Sequence, residues 1–396
     1  MKKKLINDLV FNIIATAIPI AVLQLVIYPS IGKRFGDEYY GLFISLISFV
    51  TLLAHPFSVS LNNARLLSKD SANKINDFKL ILVFILLINL VYIVIGSLYY
   101  YNLTHMFFIA LITIYSSLYI IYNYGIVAFR IKLNYKMIFF SNLILVIGYV
   151  AGYIVFLITG YWQLIFITGL FFSIIHVKLS TSIFSEKIVR TENFSISLKL
   201  VAILILSSFL KSSVNYLDKI VLLPLLGASA VTIYYTATFI GKMLSLALTP
   251  VSGVILTYLS RMREFPKRQF SRVLVIAVCV SVLAYFTLIL ISPYILKFFY
   301  PLWYEESLKL VNITVLTSII ASLSSLLNPL ILKFKHKSYQ ISLNVIQFIL
   351  MFLMAGVLFY FFGLVGYALG FLIGQFVSLI LSFMVLYFGK NDMQYN

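Results

Sequence analysis

Four ionisable side chains stand inside apolar, helix-length runs: Lys211, Asp218, Lys219 and Lys242. A single charge of this kind at the centre of a membrane span costs about 2.5–3.5 kcal/mol on insertion scales. Each must therefore face water, another charge or a polar ligand. Spacing assigns the faces. Ser207, Lys211, Asn215 and Asp218 step by four, four and three, which makes one stripe on a helix. In the next run Tyr235, Thr238, Lys242, Ser245, Thr249 and Ser252 repeat the same alternation of three and four. Two neighbouring polar seams are expected to line one internal cavity. The chemistry available there is binding. Three ammonium groups against one carboxylate select an anion, and a phosphate or pyrophosphate suits ammonium and guanidinium donors. His55 adds a titratable ring on the second apolar run, and Arg65 stands at that run's end. An organic cation would need the opposite balance.

Each residue also has a plainer reading. Lys211 and Asp218 lie two turns apart and can pair with each other, fastening their helix into a bundle. Lys219, near the end of its run, can snorkel to headgroups. His55, on a seam of Ser and Thr, can serve a helix–helix hydrogen bond. Arg65, beside Asn62 and Asn63, can be an anchor on the basic side of a membrane. Lys242 lies near the middle of its run, where snorkelling is difficult, and is the leading candidate. The candidate binding set is thus His55, Arg65, Lys211, Asn215, Asp218 and Lys242. Asp218 is also a candidate for ion or proton coupling, although the adjacent Lys219 works against its protonation.

Composition dictates the scaffold that carries these groups. The chain has 396 residues, 62% of them hydrophobic and 11% charged, with a mean hydropathy of +1.04. Soluble domains carry roughly 25% charged residues, so an all-α polytopic membrane protein in a lipid bilayer is expected. The net charge of +18 does not indicate nucleic-acid binding, because the basic residues sit in short connections between apolar segments. One cysteine, Cys279, supports neither a disulfide nor a metal framework and is expected to be a small buried hydrophobe. No phosphate-binding glycine loop, Cys/His metal spacing or Ser-His-Asp arrangement is present, so neither catalysis nor a cofactor is expected.

Twelve segments of spanning length are marked at about 8–31, 39–61, 78–99, 104–126, 137–158, 161–183, 197–225, 229–259, 271–293, 307–332, 340–362 and 364–389. The first, behind Met1-Lys-Lys-Lys, is kept as a helix because no cleavage pattern follows it. Alternate connections hold nearly all the Lys and Arg, such as Lys2–Lys4, Arg65, Arg130, Lys187 and Arg261. The opposite set holds Lys33, Arg34, Lys297 and Lys309. The bias places both termini in the cytoplasm. Overlaying the halves sets Pro29 on Pro224, Gly32 on Gly227, Tyr39 on Tyr234 and Tyr40 on Tyr235. A slightly different shift sets Pro56 on Pro250 and Ser48 on Lys242. The expected architecture is two six-helix lobes, 1–190 and 191–396, related by a parallel pseudo-two-fold repeat around a central cavity.

Specific patches resemble a known family. Asn215-Tyr-Leu-Asp-Lys, then Leu226-Gly227 and Val231-Thr-Ile-Tyr, is similar to the seventh-to-eighth helix region of Wzx-type polysaccharide flippases, with Thr232 in place of the usual Gly. These belong to the multidrug/oligosaccharidyl-lipid/polysaccharide exporter superfamily, which includes MATE-like folds. Gly36-Asp-Glu-Tyr-Tyr-Gly-Leu and Asn63-Ala-Arg-Leu-Leu-Ser extend the likeness into the first half. The resemblance implies an alternating-access carrier of undecaprenyl-pyrophosphate-linked oligosaccharide across the bacterial cytoplasmic membrane. Basic residues such as Arg65, Lys211 and Lys242 would hold the pyrophosphate, and other polysaccharide-assembly proteins would be partners. The alternatives are a membrane-embedded polysaccharide polymerase or ligase and a multidrug or organic-ion antiporter of the same superfamily. The largest outer connection, around 294–306, lacks the Arg or His that such an enzyme requires.

Overall fold

Three helical runs are too long to be single spans. Ala17–Leu67 has 51 residues, Phe194–Met243 has 50 and Ile341–Phe388 has 48. At about 1.5 Å per residue each would reach roughly 75 Å, against a hydrocarbon core of about 30 Å. Each is broken at a glycine with positive φ: Gly36, Gly227 and Gly363. Gly36 (φ 81°, ψ −179°) and Gly227 (φ 81°, ψ 177°) share a backbone conformation that is essentially closed to residues with a Cβ.

In the computed structural model, residues 17–67, 75–259, 267–335 and 338–389 are described, with side chains except at 75–76, 244–259, 267–274, 276, 329, 332–333 and 340. Counted across the glycine breaks, the helices are α1 (17–35), α2 (37–67), α3 (Ile75–Ile95), α4 (Met106–Ile131), α5 (Tyr135–Thr159) and α6 (Gln163–Ser180). They continue as α7 (194–226), α8 (228–259), α9 (Lys267–Phe299), α10 (Tyr304–Phe334), α11 (338–362) and α12 (364–388). Among the described residues these twelve helices follow the twelve expected segments. No strand is found among the described residues. The start of the first expected segment, 8–16, lies outside them.

The apolar side chains of these helices point outward as often as inward. α3 exposes Phe84, Leu87, Ile88 and Val91, while Asn89 is fully buried and accepts from Ser116 Oγ at 2.8 Å. A helix that shows water its largest hydrophobes and hides its amide is inverted for a soluble protein and correct for one solvated by lipid. Cys279 belongs to this outer surface: it is exposed between exposed Val278 and Val280. The expectation of a buried thiol is corrected accordingly, because in lipid a small apolar group costs nothing on the outside.

Packing divides the chain into two compact units. The first comprises Met1–Ser30 and Leu46–Leu217, the second Ile31–Ser45 and Asp218–Asn396. The packing boundary thus falls inside α7, between Leu217 and Asp218, and the α1–α2 elbow belongs to the second unit. Within the first unit, Thr168 Oγ1 on α6 donates to the Gly148 carbonyl of α5 at 2.9 Å. Buried Tyr115, Tyr149, Trp162 and Phe166 form its aromatic core. Within the second, Thr314 Oγ1 of α10 donates to the Ala237 carbonyl of α8 at 2.8 Å. Gln347 and Gln375 join α11 to α12 at 2.6 Å.

The segment 31–45 is held in the second unit by aromatic stacking. Tyr40 lies parallel to Trp303, with centroids 5.4 Å apart, and its hydroxyl meets that of Tyr300 at 3.2 Å. The two glycine elbows also touch. Thr232 Oγ1 donates to the Asp37 carbonyl at 2.7 Å, and the Asp37 carboxylate is hydrogen-bonded to Ser229. Gly41 approaches Ala228 so closely that a Cβ on it would lie 1.8 Å from the Ala228 carbonyl oxygen. Gly41 and Thr232 each stand five residues past their elbow glycine, and each packs on the residue that follows the opposite elbow. This fixes the repeat register: Gly36, not Gly32, is the counterpart of Gly227. Gly32 lies in continuous helix under the Trp303 ring. The elbows border a cleft of about 580 Å³ lined by Glu38, Tyr39, Leu42 and 226–229.

Candidate functional site

The six candidate residues fall into separate polar clusters. In the first unit α2, α4 and α7 bring His55, Tyr119, Tyr216 and Lys211 together. His55 Nδ1 lies 3.3 Å from the Tyr119 hydroxyl, and its ring faces Tyr216 edge-on at 6.5 Å between centroids. Lys211 is exposed, and its ammonium acts electrostatically on His55. Asn215, one turn further, is also exposed and donates back to the Lys211 carbonyl at 3.2 Å. Ser207, Lys211 and Asn215 are thus an exposed stripe on α7, as the spacing required. The stripe ends there. Asp218, three residues on, is buried and lies in the second unit.

Asp218 is engaged by its own neighbour. Both carboxylate oxygens accept from the Lys219 ammonium, Tyr234 is hydrogen-bonded to the carboxylate, and Tyr367 Oη donates to the Asp218 carbonyl at 2.7 Å. Asp218 and Lys219 are each only 4% exposed. The reading in which Lys211 pairs with Asp218 is therefore corrected: the partner is Lys219. The reading of Lys219 as a snorkelling residue is corrected with it, because a buried carboxylate one residue away offers a better counter-charge than distant headgroups.

Lys242 is half-buried on α8 in the same unit. Its ammonium sits 3.7 Å from the centre of the Tyr235 ring, two turns back on the same face. The Asp218–Lys219 pair acts on it electrostatically. Thr238, half-buried, donates to the Tyr235 carbonyl at 2.8 Å. The rest of the expected seam, Ser245, Thr249 and Ser252, lies outside the described side chains.

Arg65 closes α2 and is 5% exposed. Its Nη1 donates to Tyr124 Oη at 2.6 Å, and its Nη2 pairs with the Glu186 carboxylate from the 181–193 connection. Tyr124 also donates to the second Glu186 oxygen at 3.4 Å. The ion pairs among the described residues are these two, Arg65–Glu186 and Asp218–Lys219. Lys211 and Lys242 therefore have no carboxylate partner among the described residues, and no cluster of metal-ligating residues is found among them.

Sequence reasoning passed over Tyr119, Tyr124, Glu186, Tyr216 and Tyr367. A signal existed for two of them: Tyr119, Tyr122, Asn123 and Tyr124 form a dense polar run inside apolar α4. Glu186 stands out only as an acid in a basic connection, and nothing in sequence points it at Arg65.

No family model and no curated protein matches the chain. Solved structures do. The inward-facing conformation of a multidrug resistance MATE family transporter of the MOP superfamily aligns over 94% of this chain and 96% of its own, with a TM-score of 0.72 at 14% identity. The lipid II flippase MurJ, in an inward closed conformation, aligns over 95% of this chain and 87% of its own, with a TM-score of 0.72 at 16% identity. An outward-facing MATE transporter of the same superfamily gives a TM-score of 0.65 at 15% identity over 95% and 94%. The chain has the all-helical fold of these proteins.

Proposed function

We propose that the protein is a flippase that moves undecaprenyl-pyrophosphate-linked oligosaccharide units across a bacterial cytoplasmic membrane by alternating access, with both termini in the cytoplasm. The observation that carries this reading is the charge imbalance within the helices. Asp218 is occupied by Lys219, so Lys211 and Lys242 are left as cations without a carboxylate partner among the described residues. They stand on α7 and α8, sixteen and fifteen residues from the elbow at Gly227. An uncompensated ammonium inside a membrane protein is expensive, and a visiting diphosphate offsets that cost only while it is bound. His55 and Asn215 supply further polar contacts beside Lys211, Asp218 acts as counter-ion for the Lys219 side, and Arg65, paired with Tyr124 and Glu186, adds a guanidinium to the anion-binding set.

The fold serves MATE exporters and MurJ alike, so charge must separate the carriers. An exporter of organic cations needs an available carboxylate, and Asp218 is already neutralised. A polymerase or ligase is disfavoured by the short outer connection around 294–306, which has no Arg or His.

The test is the intermediate that accumulates in cells lacking the protein. Single lipid-linked units trapped on the inner leaflet support the flippase. Units outside but unpolymerised reject it in favour of an enzyme, and normal polymer with increased dye sensitivity rejects it in favour of a drug exporter. Complementation with Lys211→Ala and Lys242→Ala, each inserted normally, is expected to fail. Full complementation by both removes the argument from cations that lack a carboxylate partner.

A further inference from the structure

The 181–193 connection, which joins the two sequence halves, is strapped to the first unit at several points. Lys79 Nζ donates to the Phe184 and Glu186 carbonyls at 2.8 and 2.6 Å. Asp77, at the start of α3, accepts from the Thr191 amide at 2.8 Å and from its hydroxyl at 2.7 Å. Glu186 caps Arg65 and Tyr124, which are hydrogen-bonded to each other, with one carboxylate oxygen towards each.

Two features mark the Arg65 position as more than a strap. A guanidinium buried this deeply is normally saturated with acceptors, yet its Nε has no hydrogen-bond partner. The Glu186 carboxylate, by contrast, retains 20% exposure and is carried by a connection whose following residues, Lys187 to Arg190, are all exposed. The donors are deep and incompletely used, and the acceptor is shallow and replaceable. A carboxylate offers two oxygens. A terminal phosphate offers three, enough to serve both ends of the guanidinium and the Tyr124 hydroxyl together.

We propose that Arg65 and Tyr124 form a diphosphate-binding position that Glu186 occupies in the absence of ligand, so that a diphosphate displaces Glu186 and frees the 181–193 strap. This rests on the flippase reading and gives it a first contact and a switch: the ligand's charge breaks the same ion pair that holds the connection down.

The test uses the full chain in phosphatidylcholine nanodiscs. Trypsin cleavage after Lys187 and Arg190 reports the strap, and labelled inorganic pyrophosphate reports binding. Pyrophosphate is expected to accelerate cleavage, and Glu186→Gln to bind it about tenfold more tightly, since the neutral amide no longer competes for the guanidinium. The exchange Arg65→Glu with Glu186→Arg adds a tryptic site at 186, so it is scored against its own ligand-free cleavage rate, and pyrophosphate is expected to leave that rate unchanged. Unchanged or weaker binding by Glu186→Gln overturns the proposal, as does a persisting response in the exchanged protein. If Glu186→Gln is not monodisperse, Tyr124→Phe decides: binding several-fold weaker supports the site, and unchanged binding overturns it. Nanodiscs containing undecaprenyl pyrophosphate are expected to reproduce the effect. A response to phosphatidylglycerol alone overturns the diphosphate assignment in favour of an ordinary anionic headgroup. Transport by a protein whose strap ignores pyrophosphate defeats this inference and leaves the flippase reading intact, whereas transport by the Lys211→Ala and Lys242→Ala variants defeats that reading by a separate route.

Discussion

Replacing Asp218 with Asn separates a counter-ion from a ligand. The carboxylate is 4% exposed and takes both oxygens to the Lys219 ammonium, itself 4% exposed. Removing one member of a buried pair leaves the other charge uncompensated and costs about 3–5 kcal/mol. For a unit of this size each kcal/mol corresponds to about 2–4 °C in Tm, so Asp218→Asn is expected to melt roughly 6–20 °C below the parent. Adding Lys219→Met removes the stranded ammonium, and because a buried pair is often replaceable by apolar groups, the double variant is expected to recover most of that loss. The assay is thermal unfolding of detergent-purified protein at a fixed scan rate, with all four members of the double-mutant cycle compared. A single variant that melts with the parent yet fails in transport would refute the reasoning, since Asp218 would then act on the substrate and not on Lys219. Equal losses in the single and double variants would refute it too, by showing that the cost arises from lost packing.

Other perturbations follow from the same geometry. Lys242→Ala forfeits a cation–π contact worth about 1 kcal/mol, so it and Lys211→Ala should keep a near-parental Tm while export of lipid-linked units is lost. Gly41→Ala places a methyl group 1.8 Å from the Ala228 carbonyl oxygen and should cost about 1–3 kcal/mol through overpacking, read as a lower Tm. Gly36→Ala meets no atom within 4 Å and should still cost about 1–3 kcal/mol from backbone strain alone, so adding Gly41→Ala to it should lower Tm further. Thr232→Val removes the hydroxyl that reaches Asp37 and should cost about 1 kcal/mol, whereas Thr232→Ser should be close to neutral.

Helix ends show where hydropathy stops being informative. The expected segment 104–126 continues to Ile131, and 39–61 continues to Leu67. Hydropathy falls where polar residues begin, but backbone hydrogen bonding does not, so Asn62, Asn63 and Arg65 are still helical. The turn at Gly227 was legible because Gly-Ala-Ser-Ala interrupts an apolar run. Its counterpart at Gly36 was misplaced to Gly32, since Gly32 follows a proline as a break should and Gly36 is flanked by residues a helix accepts. The positive φ at Gly36 and the packing around the two glycines distinguish them.

The candidate site divides along similar lines. Periodicity was enough to put Ser207, Lys211 and Asn215 on one face, because 3.6 residues per turn is a local property. It could not say that Asp218 leaves that face for Lys219, nor that Glu186, more than a hundred residues away in sequence, reaches Arg65. Side-chain pairing across long separations depends on which helices become neighbours, and composition carries no record of it.

What the amino-acid sequence determined by itself was the solvent and the number of crossings. Lipid demands that every backbone group be satisfied within its own helix, so spans must be long, apolar and countable. Which charges remain available was settled by packing alone. Four intramembrane ionisable groups read alike in sequence, and packing joined Asp218 to Lys219 while leaving Lys211 and Lys242 without a carboxylate among the described residues. The reason is physical: burial costs depend on a charge's three-dimensional neighbours, and those are set by the fold.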